Sequence, residues 1–345
     1  MDYKRGSAET GYLDVLRVYS CLAIVFFHTF AHMIIPYGSF LTETELYFSV
    51  VLQNSVNFCL TCFVMISGFL FLYKDIPIKK IFTKYILRMA LALIAFGVPF
   101  AFMEVFYNAH YQFSADQIKT VLLNVYQGKM WAHMWYLYMV IGLYLLVPLF
   151  RVFAKYADKK TMEYILIVLF IFTSVIPTLQ SIIPYELGLN IPIPSIFVFY
   201  FFLGYYLQQY NIRINNKIIY SGMAFYILYM ILICLNKKLY NARGDIIGLD
   251  SFISPLIVMY SIMFFCFFRQ NVSFKKIYAF LSPLTFGVYL MHPFFLNLLF
   301  KVFKFTPENY PLAVVIVFSL LIAVVSSALF TFVARKIKVV RDYIL

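Results

Sequence analysis

Leu13-Asp14-Val15-Leu16-Arg17-Val18-Tyr19-Ser20-Cys21-Leu22-Ala23-Ile24-Val25-Phe26-Phe27-His28 is an apolar run that holds a guanidinium near one end and an imidazole at the other. The apolar character continues past His28 to Ile35, so the run reaches the roughly 20 residues that a ~30 Å hydrocarbon core requires. At about 100° per residue, the step from Arg17 to His28 makes close to three helical turns, which places both side chains near one face, ~16 Å apart along the axis. Arg17 then stands where the helix enters the membrane and His28 about halfway through. Ionisable groups at that depth are costly and face a protein interior or a water-filled path. The pair marks a route for an anionic molecule at its mouth and a proton-transfer site at its centre.

Nine further apolar runs follow. The windows fall near 15–36, 47–73, 85–107, 132–152, 162–183, 193–209, 217–235, 250–268, 279–300 and 311–333. With 63% apolar and 12% charged residues, the 345-residue chain is no ordinary soluble domain. The expected architecture is all-α, a polytopic bundle of about ten transmembrane helices in a lipid bilayer, forming one domain over 1–345 with no separate soluble part. The turn Ile183-Pro184-Tyr185-Glu186-Leu187-Gly188-Leu189-Asn190-Ile191-Pro192-Ile193-Pro194 is punctuated by prolines and has room for a partial re-entrant segment. No cleavable leader is expected, because the first run is too long and no small-residue cleavage site follows it.

The net charge of +13 would point to nucleic acid in a soluble protein. Here its placement points elsewhere. Twenty-one of the 28 Lys and Arg fall on alternate segments, from Lys4, Arg5 and Arg17 at the start to Arg335, Lys336, Lys338 and Arg341 at the end. Only Lys119, Lys129, Lys237, Lys238, Arg243, Lys301 and Lys304 lie on the opposite set. The positive-inside bias puts both termini in the cytoplasm and makes the span number even. Nucleic acid is not an expected partner. Cys21, Cys59, Cys62, Cys234 and Cys266 all lie in apolar stretches and read as packing residues, Cys59 and Cys62 included.

His28 heads the candidate residues, since a neutral imidazole accepts a proton from a hydroxyl. His32, one turn further, shares its side of the helix. No HExxH or carboxylate pair completes a metal site, so no metal is expected. Asp14, one turn before Arg17, is placed to pair with or orient it. His110, Tyr111, Tyr126 and Trp131 in the long outer segment 108–131 fit an interfacial belt or a sugar-stacking surface. Glu104, at the outer end of the third run, is a candidate to orient a histidine.

Asp14-x-x-Arg17 with His28 beyond it resembles the opening signature of acyltransferase family three, the integral membrane acyltransferases of bacterial surface polysaccharides. Four more segments match in order. Phe63-Val64-Met65-Ile66-Ser67-Gly68-Phe69-Leu70 is similar to the second-span Ser-Gly-Phe motif. His133-Met134-Trp135-Tyr136-Leu137-Tyr138 is similar to the fourth-span Trp-aromatic-Leu motif, and Phe201-Phe202-Leu203-Gly204-Tyr205 to the sixth-span Phe-x-x-Gly. Thr285-Phe286-Gly287-Val288-Tyr289-Leu290-Met291-His292-Pro293 is similar to the late Tyr-x-x-His-Pro element. The resemblance covers about 12–335, and its layout is nearest to the O-acetyltransferases of the enterobacterial common antigen type. One departure stands out: where the family often has Arg-x-x-Arg, this chain has Tyr85-Ile86-Leu87-Arg88, with Lys84 beside it as a point charge.

The resemblance implies an O-acyltransferase of the bacterial inner membrane that moves an acyl group, chiefly acetyl, from cytoplasmic acyl-coenzyme A to a hydroxyl of a surface polysaccharide or its lipid-linked precursor. Acyl-coenzyme A is then a co-substrate, and no bound cofactor is expected. It also implies His28 as general base or acyl carrier, and Arg17, Asp14 and Arg88 as the donor site. His32, Trp135, Tyr136, Tyr289 and His292 are expected to line the acceptor cavity. Ser67-Gly68 reads as a helix-packing notch rather than a nucleophile. The alternative function is a glycan exporter or flippase without acyl transfer, against which the absence of an internal repeat weighs.

Overall fold

The computed structural model describes residues 11–109, 114–183, 188, 195–235 and 251–345. Lys4, Arg5, His110, Tyr111, Glu186, Lys237, Lys238, Arg243 and most of the proline-rich turn lie outside the described residues. The fold is an all-α membrane bundle without strands among the described residues. Eight helical stretches are long and apolar enough to cross a membrane. They are Tyr12–Phe40, Glu43–Tyr73, Ile78–Asn108, Ala132–Tyr156, Lys159–Ile182, Asn216–Leu235, Lys276–Val302 and Leu312–Ala334. Two shorter helices, Ile196–Gln209 and Pro255–Asn271, complete the expected ten. In chain order these are the first to tenth spans below, with the short pair sixth and eighth. Most of the sixth helix is buried among its neighbours, so it need not match the full lipid thickness.

Helix boundaries follow capping chemistry that lies outside the hydropathy windows. Thr42 opens the second span four residues before the expected start. Its hydroxyl accepts the Glu45 N–H at 3.3 Å, and the Glu45 carboxylate accepts the Thr42 N–H at 2.8 Å. Ser114 and Gln117 form the same box, and so the outer segment 108–131, read as a loop, contains the helix Ala115–Tyr126. Within the second span the helix breaks at Ser55–Asn57. There the Asn54 carbonyl accepts the Tyr226 hydroxyl at 3.2 Å beside the Asn57 N–H, and the Ser55 carbonyl accepts the Tyr260 hydroxyl at 2.7 Å. Tertiary donors thus satisfy backbone that lipid could not.

The closest crossing joins the second and sixth spans. A Cβ on Gly68 would overlap the carbonyl of Phe201, and one on Gly204 would overlap that of Met65. This reciprocal notch is the packing role expected of Gly68, and it gives Gly204 the same one. All five cysteines are free and buried.

Among the described residues five stretches wind as π-helix: Thr29–Ile34, Ile81–Ile86, Leu93–Gly97, Ile171–Val175 and Leu298–Val302. Such widened turns are frequent at functional sites. Here one follows His28 directly, two flank the helical turn carrying Arg88, and one contains Lys301. Two cations of the basic set act as struts. Arg151 holds the Asp75 carboxylate and the Ile76 carbonyl, and Arg269 holds the carbonyls of Leu207 and Ile212.

Candidate active site

Arg17 and His28 lie on one unbroken α-helix, Gly11–His28, so their helical spacing is realised. Asp14 is fully buried; its Oδ1 accepts the Ser282 hydroxyl at 2.7 Å and lies 3.3 Å from Arg17 Nη1. The carboxylate therefore fixes the guanidinium against the first span, as the spacing allowed. Arg17 faces a cavity of about 530 Å³ that also takes in Lys74, Lys84, Arg88, Arg335 and Arg341. No carboxylate lines it. Arg88 lies over the Phe286 ring, 5.4 Å from its centroid. Arg17 and Arg88 thus share one basic vestibule. Ser67 lines this vestibule and not the histidine chamber beyond it.

Ile24, Tyr136 and Tyr289 border both the vestibule and a smaller chamber of about 230 Å³. Tyr136 and Tyr289 meet with ring centroids 5.4 Å apart, and the Tyr289 hydroxyl is bonded to the His133 carbonyl. These tyrosines line both cavities and form a neck between them. The chamber holds His28, His32 and His133, walled by Phe27, Trp135 and Phe252. Trp135 packs near Phe197 and Phe252, at centroid distances of 5.6 and 6.1 Å.

His28 Nδ1 lies 2.7 Å from His292 Nε2, and the two rings are 3° from parallel. His292 is fully buried, and its Nδ1 lies 3.0 Å from the Val288 carbonyl oxygen. His133 approaches both, with ring centroids 6.2 Å from His28 and 5.8 Å from His292. No group of three or more His, Cys, Asp or Glu among the described residues is arranged to hold a metal.

His28, His32 and His133 also border a third cavity, about 400 Å³, that reaches Tyr37, Glu104, Asn297 and Lys301. Among the described residues Glu104 orients no histidine. Its carboxylate accepts from Lys301 Nζ at 2.8 and 2.9 Å and from Trp131 Nε1 at 3.1 Å. Trp131 is buried, stacked on Phe100 at 4.1 Å, and borders this cavity. Of the two described members of that expected set, Tyr126 is well exposed. The three cavities share lining residues in sequence, which makes a path from the basic vestibule through the histidines to the opposite mouth.

Sequence reasoning did not single out His133, Lys301 or the His28–His292 contact. His133 stood inside a quoted motif but was overshadowed by Trp135. The other two depend on contacts between distant spans, for which no local spacing is a signal. Residues 10–332 match the model of the acyltransferase 3 family, described as an acyltransferase domain. No curated protein and no solved structure matches the chain.

Proposed function

Because the chain belongs to the acyltransferase 3 family and spans a membrane, we propose that this membrane acyltransferase is an O-acetyltransferase of the bacterial inner membrane. The donor is acetyl-coenzyme A from the cytoplasm, and the acceptor is a hydroxyl of a surface polysaccharide or its lipid-linked precursor. The single observation behind this reading is the three-part path, basic at one end and histidine-lined at its centre. The narrower likeness to the enterobacterial common antigen type belongs to the same proposal.

The donor's phosphates meet Arg17, Arg88 and their basic neighbours through charge-assisted hydrogen bonds. The thin pantetheine arm passes the Ile24, Tyr136 and Tyr289 neck and brings the thioester to His28. An acceptor enters from the Glu104–Lys301 mouth, past His32. As its hydroxyl oxygen forms the new C–O bond, His28 takes its proton; the C–S bond breaks, and the proton passes to the departing sulfur as a thiol. General-base help of this kind is worth about 10²–10⁴-fold in rate.

The test is acetyl transfer by purified protein in lipid nanodiscs, followed as thiol release together with the mass of the glycan. His28→Ala is expected to lower transfer by about 100-fold or more while the protein remains folded. Wild-type rates from His28→Ala overturn the proposal.

A further inference from the structure

The hydrogen-bond chain behind His28 has only one arrangement in which both rings are neutral. The Val288 carbonyl can only accept, so His292 Nδ1, 3.0 Å away, carries a hydrogen. Neutral His292 then has a bare Nε2, which accepts from Nδ1–H of His28 across 2.7 Å. That leaves the lone pair of His28 on Nε2, which has no hydrogen-bond partner among the described residues, on a ring that borders the chamber. Two cationic rings cannot coexist here, because two N–H groups would point at each other.

From this geometry we infer that His292 is the positioning residue of the base: it fixes the tautomer and plane of His28 and shares the positive charge that His28 gains. The inference rests on His28 acting as the base in the reading above. A base held by a third group is the general design of activated proton acceptors. His292 suits the role because it is fully buried and anchored at its far nitrogen. When the acceptor hydroxyl gives its proton to His28 Nε2, the Nδ1–H bond to His292 strengthens. No proton leaves the pair through His292, since its other nitrogen faces only a carbonyl. The proton therefore returns through Nε2 to the sulfur.

Two substitutions separate positioning from packing. Asparagine can mimic Nδ1 of a histidine, so His292→Asn keeps the Val288 bond and removes the acceptor for His28. Glutamine can mimic Nε2, so His292→Gln keeps that acceptor and removes the Val288 bond. A misassigned tautomer at an oriented catalytic histidine costs as much as about 10⁴ in kcat, and loss of an orienting partner about 10–100-fold. We expect kcat to fall by about 100-fold in His292→Asn with donor KM unchanged, and by clearly less in His292→Gln. The accompanying readout is the ¹⁵N spectrum of histidine-labelled full-length protein, with the His28 signals identified by their loss in His28→Ala. Wild type and His292→Gln should show His28 protonated at Nδ1 and bare at Nε2, and His292→Asn should lose that preference. Equal losses in both variants, a fully active His292→Asn, or wild-type His28 protonated at Nε2 overturns the inference. Should either variant fail to fold, the wild-type spectrum decides. Active His28→Ala instead overturns the parent reading and takes this one with it.

Discussion

Lys301 of the ninth span reaches Glu104 of the third, placing Nζ 2.8 and 2.9 Å from the two carboxylate oxygens. The pair spans the mouth that lies opposite the basic vestibule. Both side chains are partly exposed, at 29% and 36%, so solvent screens their attraction and the pair contributes at most about 1 kcal/mol to stability. Their use is better sought in the acceptor. Glu104→Gln should leave the melting temperature nearly unchanged and raise KM for the glycan while KM for acetyl-coenzyme A stays put. Paired saturation curves for the two substrates check this.

Arg17 and Arg88 make the complementary case on the other side. Hydrogen bonds to charged groups are worth about 1.5–3 kcal/mol, or roughly 10–100-fold in affinity. Removing either guanidinium should weaken donor binding by that order, and added salt should weaken it further in the wild type. Arg17→Lys should not rescue, because an ammonium lacks the planar fork. Calorimetry with coenzyme A at two ionic strengths measures all three effects.

Gly68 and Gly204 predict a stability effect without a direct chemical role. Any side chain at either position overlaps a carbonyl of the facing helix. Overpacking costs about 1–3 kcal/mol and occasionally more, and here the obstacle is backbone, which cannot rotate away. Gly68→Val or Gly204→Val should therefore lower thermal stability in detergent sharply, whereas Gly142→Ala, whose Cβ meets open space, should not. Fluorescence-detected melting curves decide between them.

Asp158 gives a pH-dependent contribution outside the membrane. Its carboxylate is held below the ordinary range by hydrogen bonds from Thr161, including the backbone N–H at 2.8 Å that it caps. The folded state thus prefers the ionised form. The cap contributes fully above the unfolded value of 3.8 and fades as pH falls through the lower folded value. Asp158→Ala should be less stable than wild type at neutral pH, and the gap should close in acid; melting curves at several pH values test the sign.

The sequence made much of the first helix legible because both of its key residues obey one period. Arg17 and His28 need only an unbroken helix to share a face, and Gly11–His28 supplies it. The alternation of Lys and Arg likewise anticipated that Arg17, Arg88, Arg335 and Arg341 would gather at one end. His292 was visible as a residue but not as a partner, since 264 positions separate it from His28. The π-turns were invisible because a hydropathy pattern does not record one extra residue per turn. Glu104 was placed at the right end of its span, yet its partner was a lysine whose own segment carried no motif.

The most direct test of the whole account is a sided assay in proteoliposomes of defined orientation. Acetyl-coenzyme A is supplied only to the basic face and the glycan acceptor only to the opposite one. Acetylated glycan should form with one thiol released per acetyl, at a rate that collapses in His28→Ala. Transfer that does not depend on His28, or glycan crossing the bilayer with no donor consumed, would contradict it.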